Sequence, residues 1–239
     1  MRFPSIDAAA PPKVLVVGDL MIDRYFWGSC DRVSPEAPVQ VVAVKRETLS
    51  LGGAGNVVAN LATLGANVEF VGVVGPDFAR SSGPALLDGF RVPQQGLVVD
   101  PDRMTTVKSR VVASHQQIVR FDVEMAGAIS SKLEAEVLQR VSRLLPGCAV
   151  VVLSDYAKGL LTPRVTSEII ALCRKAKVAV LVDPKGSDYS KYRGASLITP
   201  NRKEAAVASN TALDSPESVA TAGKQLMSSL QLDACLITL

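Results

Sequence analysis

The chain has 239 residues, of which 48% are hydrophobic and 21% are charged, and this length and composition are typical of a globular protein with a sizeable core. Its net charge is mild, at +3. Basic residues are spread along the chain without long runs, and aromatic residues make up only 5%, so the sequence does not favour nucleic-acid binding. We expect no membrane span and no secretory signal, and therefore a cytoplasmic protein, because no stretch approaches the about 20 apolar residues that cross a bilayer.

The first twelve residues end at Pro11-Pro12, and we expect them to form a flexible lead-in. After them, short apolar runs typical of strands buried on both faces alternate with helix-like stretches. The apolar runs are 13–19, 68–75, 148–155, 178–183, 195–199 and 233–238, and the helix-like stretches are 54–65, 78–89, 130–145, 163–176 and 215–230. This alternation predicts an α/β fold with a parallel-rich central sheet flanked by helices.

Two segments break this alternation and predict a second, smaller β-sheet. Residues 39–48 have β-like character, and residues 104–124 alternate with a period of two, which predicts a hairpin that turns near Ser114-His115. We expect the strands of this sheet within about 22–48 and 103–123. A small sheet over the ligand edge of an α/β domain would act as a lid that excludes water.

The segment 51-LGGAGNVV-58 places Gly52, Gly53 and Gly55 at the start of a predicted helix. Free backbone N–H groups and the helix dipole at such a turn suit an anion or closely approaching hydroxyl groups. A tightly packed helix start would require the same glycines, so both explanations remain open. The segment matches neither the P-loop nor the dinucleotide-binding pattern. The amide of Asn56 could hydrogen-bond a sugar hydroxyl.

Acidic residues follow the ends of several predicted strands, where ligands bind in open α/β sheets. Asp19 and Asp23 follow the first strand, and paired carboxylates accept hydrogen bonds from sugar hydroxyls. Capping of a turn is the alternative for Asp19. Asp155 and Lys158 share one turn after a later strand, where Lys158 could meet a phosphate or form a surface ion pair.

Two further segments carry candidate nucleotide and metal residues. The first, 183-DPKG-186, contains Lys185, and the second, 199-TPNRKE-204, contains Asn201 and Glu204. Asn201 and Glu204 are three residues apart and share a helix face, so they could hold a hydrated Mg²⁺, which needs few protein ligands. Asn201 can also cap the helix, and the two roles are compatible.

The four cysteines are not spaced as a metal site or a redox pair. We expect free thiols, as in a reducing compartment. His115 is the only histidine and lies in the predicted hairpin turn, where a solvated side chain is the simplest expectation.

Several of these segments together resemble the ribokinase-like PfkB family of carbohydrate kinases over nearly the whole chain. Those that carry the resemblance are 18-GDLMIDR-24, 52-GGAGNVVANLATLG-65, 71-VGVVGPD-77, 183-DPKG-186 and 199-TPNRKE-204. Within the family, the chain is most similar to the bacterial D-glycero-β-D-manno-heptose 7-phosphate kinases. That similarity is carried by 23-DRYFWG-28, 33-VSPEAPVQVV-42, 116-QQIVRFD-122, 153-LSDYAKG-159 and 183-DPKGSDYSKYRGASLITPN-201.

The resemblance implies phosphoryl transfer from ATP, with Mg²⁺, to the anomeric hydroxyl of heptose 7-phosphate, which gives the 1,7-bisphosphate for ADP-heptose and lipopolysaccharide core synthesis. It also implies a homodimer that forms through the lid. The implied roles are sugar binding by Asp19, Asp23, Gly52, Gly53 and Asn56, lid contacts to the sugar phosphate by Gln117 and Arg120, a place at the reaction centre for Lys185, and contacts to Mg²⁺ and the ATP phosphates by Asn201 and Glu204.

One departure from the family pattern bears on activity. The Gly-Ala-Gly-Asp motif, whose aspartate is the catalytic base in the family, does not occur in the chain. The resemblance places that aspartate beyond Leu239, so we expect residues 13–239 to form an incomplete kinase domain that lacks the C-terminal part of the fold and is inactive alone. Another PfkB sugar kinase, or a non-catalytic fragment that binds a sugar phosphate, are the alternatives.

Overall fold

The computed structural model describes residues 11–113 and 116–239. The predicted lead-in up to residue 10 and the predicted turn at Ser114-His115 lie outside the described residues. The strands in chain order are β1 (Lys13–Gly18), β2 (Leu20–Val33), β3 (Gln40–Gly53), β4 (Asn67–Val74), β5 (Leu97–Val99), β6 (Thr106–Ala113), β7 (Gln116–Val123), β8 (Val150–Ser154), β9 (Ala179–Asp183), β10 (Leu197–Ile198) and β11 (Ala234–Cys235). The α-helices are α1 (Ala54–Thr63), α2 (Gly83–Gly89), α3 (Ser131–Leu144), α4 (Pro163–Ala176), α5 (Arg202–Ser209) and α6 (Pro216–Leu230).

The main sheet has seven strands in the order β11-β10-β9-β8-β1-β4-β5, and every neighbouring pair is parallel. One hydrophobic core lies between this sheet and helices that include α3, α4 and α6, and a second lies on the side of α1 and α2. The central strands are therefore buried on both faces, which is why their sequences are nearly continuous apolar runs. The predicted α/β class with a parallel-rich, helix-flanked sheet is confirmed.

The small sheet has four strands in the order β3-β2-β6-β7. β2 pairs antiparallel with β3 and parallel with β6, and β6 pairs antiparallel with β7. The chain passes from β1 into β2 with only Asp19 between them, and from the end of β3 directly into α1. The small sheet is thus joined to the carboxyl end of the main sheet by very short connections.

The predicted helix over 78–89 is instead a 3₁₀ turn at Phe78–Arg80 followed by α2. Pro84 has no backbone N–H and would interrupt a continuous helix, so it occupies the first turn of a new one. The sequence patterns did not predict β5, which has three residues, and predicted the start of α5 at Asn201 without its extent. In the described part of the chain, no helix is long and apolar enough to cross a membrane.

Candidate active site

A cleft of about 650 Å³ lies between the small sheet and the start of α1, and we call it the main cleft. Strands β2, β3, β6 and β7 line one side of it, and α1, α2 and the segment after β8 line the other. Its polar lining consists of Asp23, Tyr25, Ser50, Asn56, Lys108, Arg110, Arg120 and Tyr156, and Gly53 contributes backbone. The main cleft therefore joins one carboxylate, one amide and three cations, which suits a phosphorylated polyhydroxy compound.

Asp23 is held in the main cleft by a charged partner. Arg110 Nη1 lies 2.5 Å from Asp23 Oδ1, and the Arg110 guanidinium also lies over the ring of Tyr25 at 5.2 Å. Asp23 packs directly against Gly52, and a Cβ at Gly52 would collide with its carboxylate. Gly52 is therefore required for the approach of a side chain that lines the cleft.

The other two glycines serve the turn itself. Gly53 has φ of 56°, and a Cβ there would lie 2.5 Å from the carbonyl oxygen of Asp19. A Cβ at Gly55 would lie 2.7 Å from Leu20 Cδ1, so Gly55 is a packing residue. Asn56, one position further on, lines the main cleft. Close packing thus explains the glycine-rich segment in large part, and its sugar-binding role stays a prediction.

The cations of the main cleft belong to a wider network of ion pairs. Lys108 Nζ lies 3.0 Å from Asp122 Oδ2, and Arg120 Nη2 lies 3.1 Å from the same oxygen. Arg120 is the most accessible of the cleft cations, with 49% of its side chain exposed. A bound phosphate would compete with Asp122 for these donors. Arg120 could turn toward the phosphate most easily, because its side chain is the least buried of the three cations.

Asp19 lies at the end of β1 and is 5% exposed. Its carboxylate accepts the backbone N–H groups of Tyr156 at 3.0 Å, Lys158 at 3.1 Å and Leu160 at 3.3 Å. Burial raises the pKa of Asp19, and these hydrogen bonds oppose that effect. The geometry agrees with the alternative that Asp19 caps a turn. We call residues 155–160 the β8 turn, and a sugar contact by Asp19 stays a prediction.

Asp155 does not line the main cleft and is 3% exposed. One of its oxygens accepts from Lys191 Nζ at 2.6 Å and from the Tyr192 hydroxyl at 2.7 Å, and the other accepts the Ala157 N–H at 2.7 Å. Lys158 Nζ is bound to Glu124 at 2.9 Å and does not reach the cleft either. The hydrogen bond from Lys158 lowers the pKa of Glu124. The structure therefore uses both residues to hold the β8 turn.

A second group of polar residues, which we call the strand-end cluster, contains Asp183, Lys185, Asn201 and Glu204. Lys185 Nζ lies 2.8 Å from Glu204 Oε1. Asn201 Oδ1 accepts the Glu204 N–H, and Glu204 Oε2 accepts the Asn201 N–H, each at 3.0 Å, so the predicted N-cap of α5 is confirmed as a capping box. Burial raises the pKa of Asp183, and the negative charge of Glu204 raises it further.

The strand-end cluster fits only a metal ion that keeps its waters. In residues 11–113 and 116–239 there is no group of three or more His, Cys, Asp or Glu side chains that could hold a metal ion. Asp183 and Glu204 are nevertheless close enough for their charges to interact. Mg²⁺ is commonly held by one or two carboxylates together with substrate phosphates, and the donor set fits that mode. Glu204 remains the predicted metal residue, with Asp183 beside it.

The sequence patterns missed several polar residues of the main cleft, namely Tyr25, Ser50, Lys108, Arg110 and Tyr156. Several predicted sugar-site residues do not line it, namely Asp19, Gly52, Gln117, Asp155 and Lys158. The period of two in β6 was a sequence signal that Lys108 and Arg110 share one face of that strand. The parallel pairing of β2 with β6 then places this face beside Asp23. No sequence signal pointed to Tyr156 over its charged neighbours.

Comparison with known proteins decides the family. The model of the family described as "pfkB family carbohydrate kinase" matches residues 11–239. The chain belongs to this family. PfkB proteins are phosphotransferases that use ATP, so the family resemblance and the kinase class expected from the sequence are confirmed.

Bacterial proteins named "Bifunctional protein HldE" have sequences similar to this chain. The one from Aliarcobacter butzleri is 46% identical over 228 residues, which cover 95% of this chain and 48% of that protein. The one from Wolinella succinogenes is 47% identical over 234 residues, with coverage of 98% and 49%. The chain thus spans about half the length of the curated relatives it matches.

Solved structures of two sugar kinases share the fold. Phosphofructokinase-2 from Escherichia coli in complex with fructose-6-phosphate has a TM-score of 0.74 at 19% identity, and the match covers 95% of this chain and 74% of that one. Arabidopsis thaliana ribokinase complexed with ribose and ATP has a TM-score of 0.67 at 18% identity, with coverage of 95% and 72%. At these identities the likeness establishes the ribokinase-like fold alone.

Proposed function

We propose that the chain carries the sugar site and part of the ATP site of a cytoplasmic kinase that phosphorylates the anomeric hydroxyl of D-glycero-β-D-manno-heptose 7-phosphate. The product would be the 1,7-bisphosphate, an intermediate of ADP-heptose synthesis for the lipopolysaccharide core. The main support for this proposal is the main cleft, which is lined by Asp23 and Asn56 together with Lys108, Arg110 and Arg120. The similarity to the HldE proteins supports a heptose-phosphate kinase role.

The cleft supports a division of labour between its two kinds of polar group. The cations of β6 and β7 would bind the 7-phosphate as charge-assisted donors. Asp23 would accept hydrogen bonds from sugar hydroxyls, and Asn56 can both donate and accept. In this proposal residues 13–239 form the kinase domain and the small sheet is its lid, which closes over the sugar and excludes water.

The strand-end cluster would serve the nucleotide. ATP supplies the phosphoryl group, and Mg²⁺ would neutralise charge on its phosphates. Asp183 and Glu204 would hold the hydrated ion, and Asn201 would stay near the phosphates through the capping box. Lys185, which now pairs with Glu204 at 2.8 Å, would stabilise charge that develops on the transferred group.

The same proposal predicts binding without turnover for the 239-residue chain, because it contains no Gly-Ala-Gly-Asp to supply the base. Two measurements test it. ADP release by the complete gene product should require heptose 7-phosphate, and calorimetry should detect that sugar binding to the 239-residue chain while no ADP appears. Turnover by the 239-residue chain would contradict the assignment of the base to the missing motif.

Another PfkB sugar kinase is the second candidate, because three cations recognise a phosphate and not a particular sugar. Phosphofructokinase-2, whose structure contains fructose-6-phosphate, shares the fold. Turnover of fructose 6-phosphate or ribose by the complete gene product, without turnover of heptose 7-phosphate, would favour this candidate. A complete gene product that binds a sugar phosphate and never consumes ATP would be a non-catalytic binder.

A further inference from the structure

Tyr156 occupies a distinctive place between the two groups of polar residues. Its side chain is half-buried and lines the main cleft, opposite the cations of the small sheet. Burial raises the pKa of the Tyr156 hydroxyl, and the negative charges of Asp183 and Asp23 raise it further, while Lys185 lowers it. Tyr156 shares the main cleft with Asp23. The pairing of Ser154 with Asp183 and the Asp155 N–H bond to the Asp183 carbonyl at 3.1 Å put it beside the strand-end cluster. The Tyr156 hydroxyl stays protonated at neutral pH.

The β8 turn holds Tyr156 firmly in this place. The Tyr156 N–H is bound by the buried Asp19 carboxylate, and the next residue, Ala157, has φ of 55° and donates to Asp155. Gly159 packs so closely on the Gly127 carbonyl that a Cβ would collide with it. Asp155 and Ala157 on either side are engaged in hydrogen bonds within the protein, and Tyr156 is the residue of the β8 turn whose side chain lines the main cleft.

The Tyr156 hydroxyl is also available to bind a ligand. Among the described residues none forms a hydrogen bond with it, whereas the buried Tyr192 hydroxyl is bound to Asp155 at 2.7 Å. A neutral phenol that faces a polar cleft can donate one hydrogen bond and accept another. Such a group distinguishes ligands by the presence and direction of a single hydroxyl.

We propose that Tyr156 is a specificity-determining residue, whose hydroxyl donates a hydrogen bond to a ring hydroxyl of the sugar between the phosphate end and the reacting end. This inference rests on the proposed function, because it uses the same cleft. It assigns to Tyr156 the recognition of sugar configuration, while the cations recognise the phosphate.

The test combines hydroxyl removal from the protein with hydroxyl removal from the sugar. Binding of heptose 7-phosphate and of each of its single-deoxy analogues would be measured by calorimetry without ATP, on the complete gene product and on Tyr156→Phe. We expect Tyr156→Phe to lower the affinity for heptose 7-phosphate about tenfold, the size expected for one hydrogen bond. For the one analogue that lacks the partner hydroxyl, the two proteins should bind equally.

Two further variants complete the design. Tyr189→Phe is the matched control, because the Tyr189 hydroxyl is buried and has no partner among the described residues, so its removal should leave every affinity unchanged. Arg110→Gln removes a cleft cation and tests the proposed function independently, since it should weaken every phosphorylated ligand.

The outcomes separate the two proposals. If Tyr156→Phe lowers the affinity for all analogues by one common factor, or for none, the specificity role is overturned, while a loss of binding in Arg110→Gln still supports the cleft as the sugar-phosphate site. If the unaltered protein does not bind heptose 7-phosphate, both proposals are overturned. Equal binding for a single analogue supports Tyr156 as the reader of that hydroxyl.

Discussion

A methyl group at position 52 would collide with the carboxylate of Asp23, which Arg110 holds in the main cleft. We therefore predict that Gly52→Ala displaces Asp23 and weakens binding of heptose 7-phosphate by tenfold or more. Overpacking of this kind also lowers the free energy of unfolding, by about 1–3 kcal/mol. Calorimetry and urea denaturation measure the two effects on the same protein.

Gly89→Ala is the control for that substitution. Gly89 ends α2, and a Cβ there would meet no atom within 4 Å. Alanine restricts the unfolded chain and favours helix, so we expect stability to stay equal or to rise by about 0.5–1 kcal/mol, with unchanged ligand affinity. Equal effects of the two substitutions would show that the Gly52–Asp23 contact does not govern the cleft.

Asp183 provides a prediction about pH. Burial and the charge of Glu204 raise its pKa in the folded protein, so the folded state binds its proton more tightly than the unfolded state does. The charged form therefore destabilises the folded protein at neutral pH, and this penalty disappears as the pH falls through the raised pKa to below the unfolded value. We predict that Asp183→Asn is more stable than the unaltered protein at pH 7, and that the difference shrinks toward pH 4.

Asp188→Asn should behave in the opposite way. The Ser190 N–H donates to Asp188 at 2.8 Å, and this backbone hydrogen bond lowers the pKa of Asp188. The charged form is favoured in the folded state, so the substitution should reduce stability at pH 7 and have no effect below the folded pKa. Urea titrations of both variants between pH 7 and pH 3 check the two signs, and the same sign for both would contradict the assignment.

At the scale of single residues, the sequence predicted which residue types take part in binding better than where their side chains lie. Asp19, Asp155 and Lys158 have the residue types that bind sugars and phosphates, yet the structure commits their side chains to the β8 turn and to Glu124. A carboxylate accepts an N–H from backbone as readily as a hydroxyl from a ligand. Which of the two it meets depends on segments that are far away in the sequence.

At the scale of elements, one arginine ties the small sheet to the main domain. Arg103 precedes β6, and its guanidinium donates to the carbonyl oxygens of Met125 at 3.2 Å, Gly127 at 2.9 Å and Lys158 at 2.6 Å. It therefore joins the segment that enters the small sheet, the segment that leaves it and the β8 turn.

We predict that Arg103→Lys loosens the small sheet. A lysine cannot reproduce the planar fork that reaches three carbonyl groups, so at least one of these carbonyl groups loses its donor. Amide hydrogen exchange should become faster in β6 and β7 and stay unchanged in β1 and β8, with weaker binding of heptose 7-phosphate. Arg140→Lys, which alters a contact of α3 to the Gln95 carbonyl, is the control and should leave exchange in β6 and β7 unchanged.

The elements that the sequence predicted are those with long, regular patterns. Buried strands such as β1 and β4 and the amphipathic helices α3, α4 and α6 follow the predicted segments closely. The strand β5 has three residues and is too short for a periodic signal. For α5, the segment 199-TPNRKE-204 predicted the N-cap at Asn201 but not the extent of the helix, which has only eight residues.

At the scale of the whole molecule, the face of the small sheet away from the main cleft exposes apolar side chains. Val119 and Phe121 on β7 are about half exposed, and the ring of Phe121 stacks with Phe26 at 6.3 Å. The homodimer through the lid stays a prediction, and we propose that it forms at this face, because a second copy would cover these side chains.

We predict that Phe121→Asp shifts the protein from dimer toward monomer in sedimentation experiments, because it puts a charge into the proposed apolar interface. Val207→Asp is the control, since Val207 is 60% exposed on α5, outside the small sheet. An unchanged oligomeric state in Phe121→Asp, or an equal shift in Val207→Asp, would exclude this face as the interface.

The sequence by itself determined the fold class and the family, because buried parallel strands, amphipathic helices and family motifs are local patterns that survive without knowledge of contacts. The tertiary structure alone decided which polar residues share a cavity. Lys108 and Arg110 reach Asp23 through the pairing of β2 with β6, about 85 residues apart in the chain. The turn that carries Tyr156 into the cleft is bound by Asp19, which lies 137 residues earlier in the chain. Such contacts depend on how distant segments pack, and no spacing within one segment encodes them.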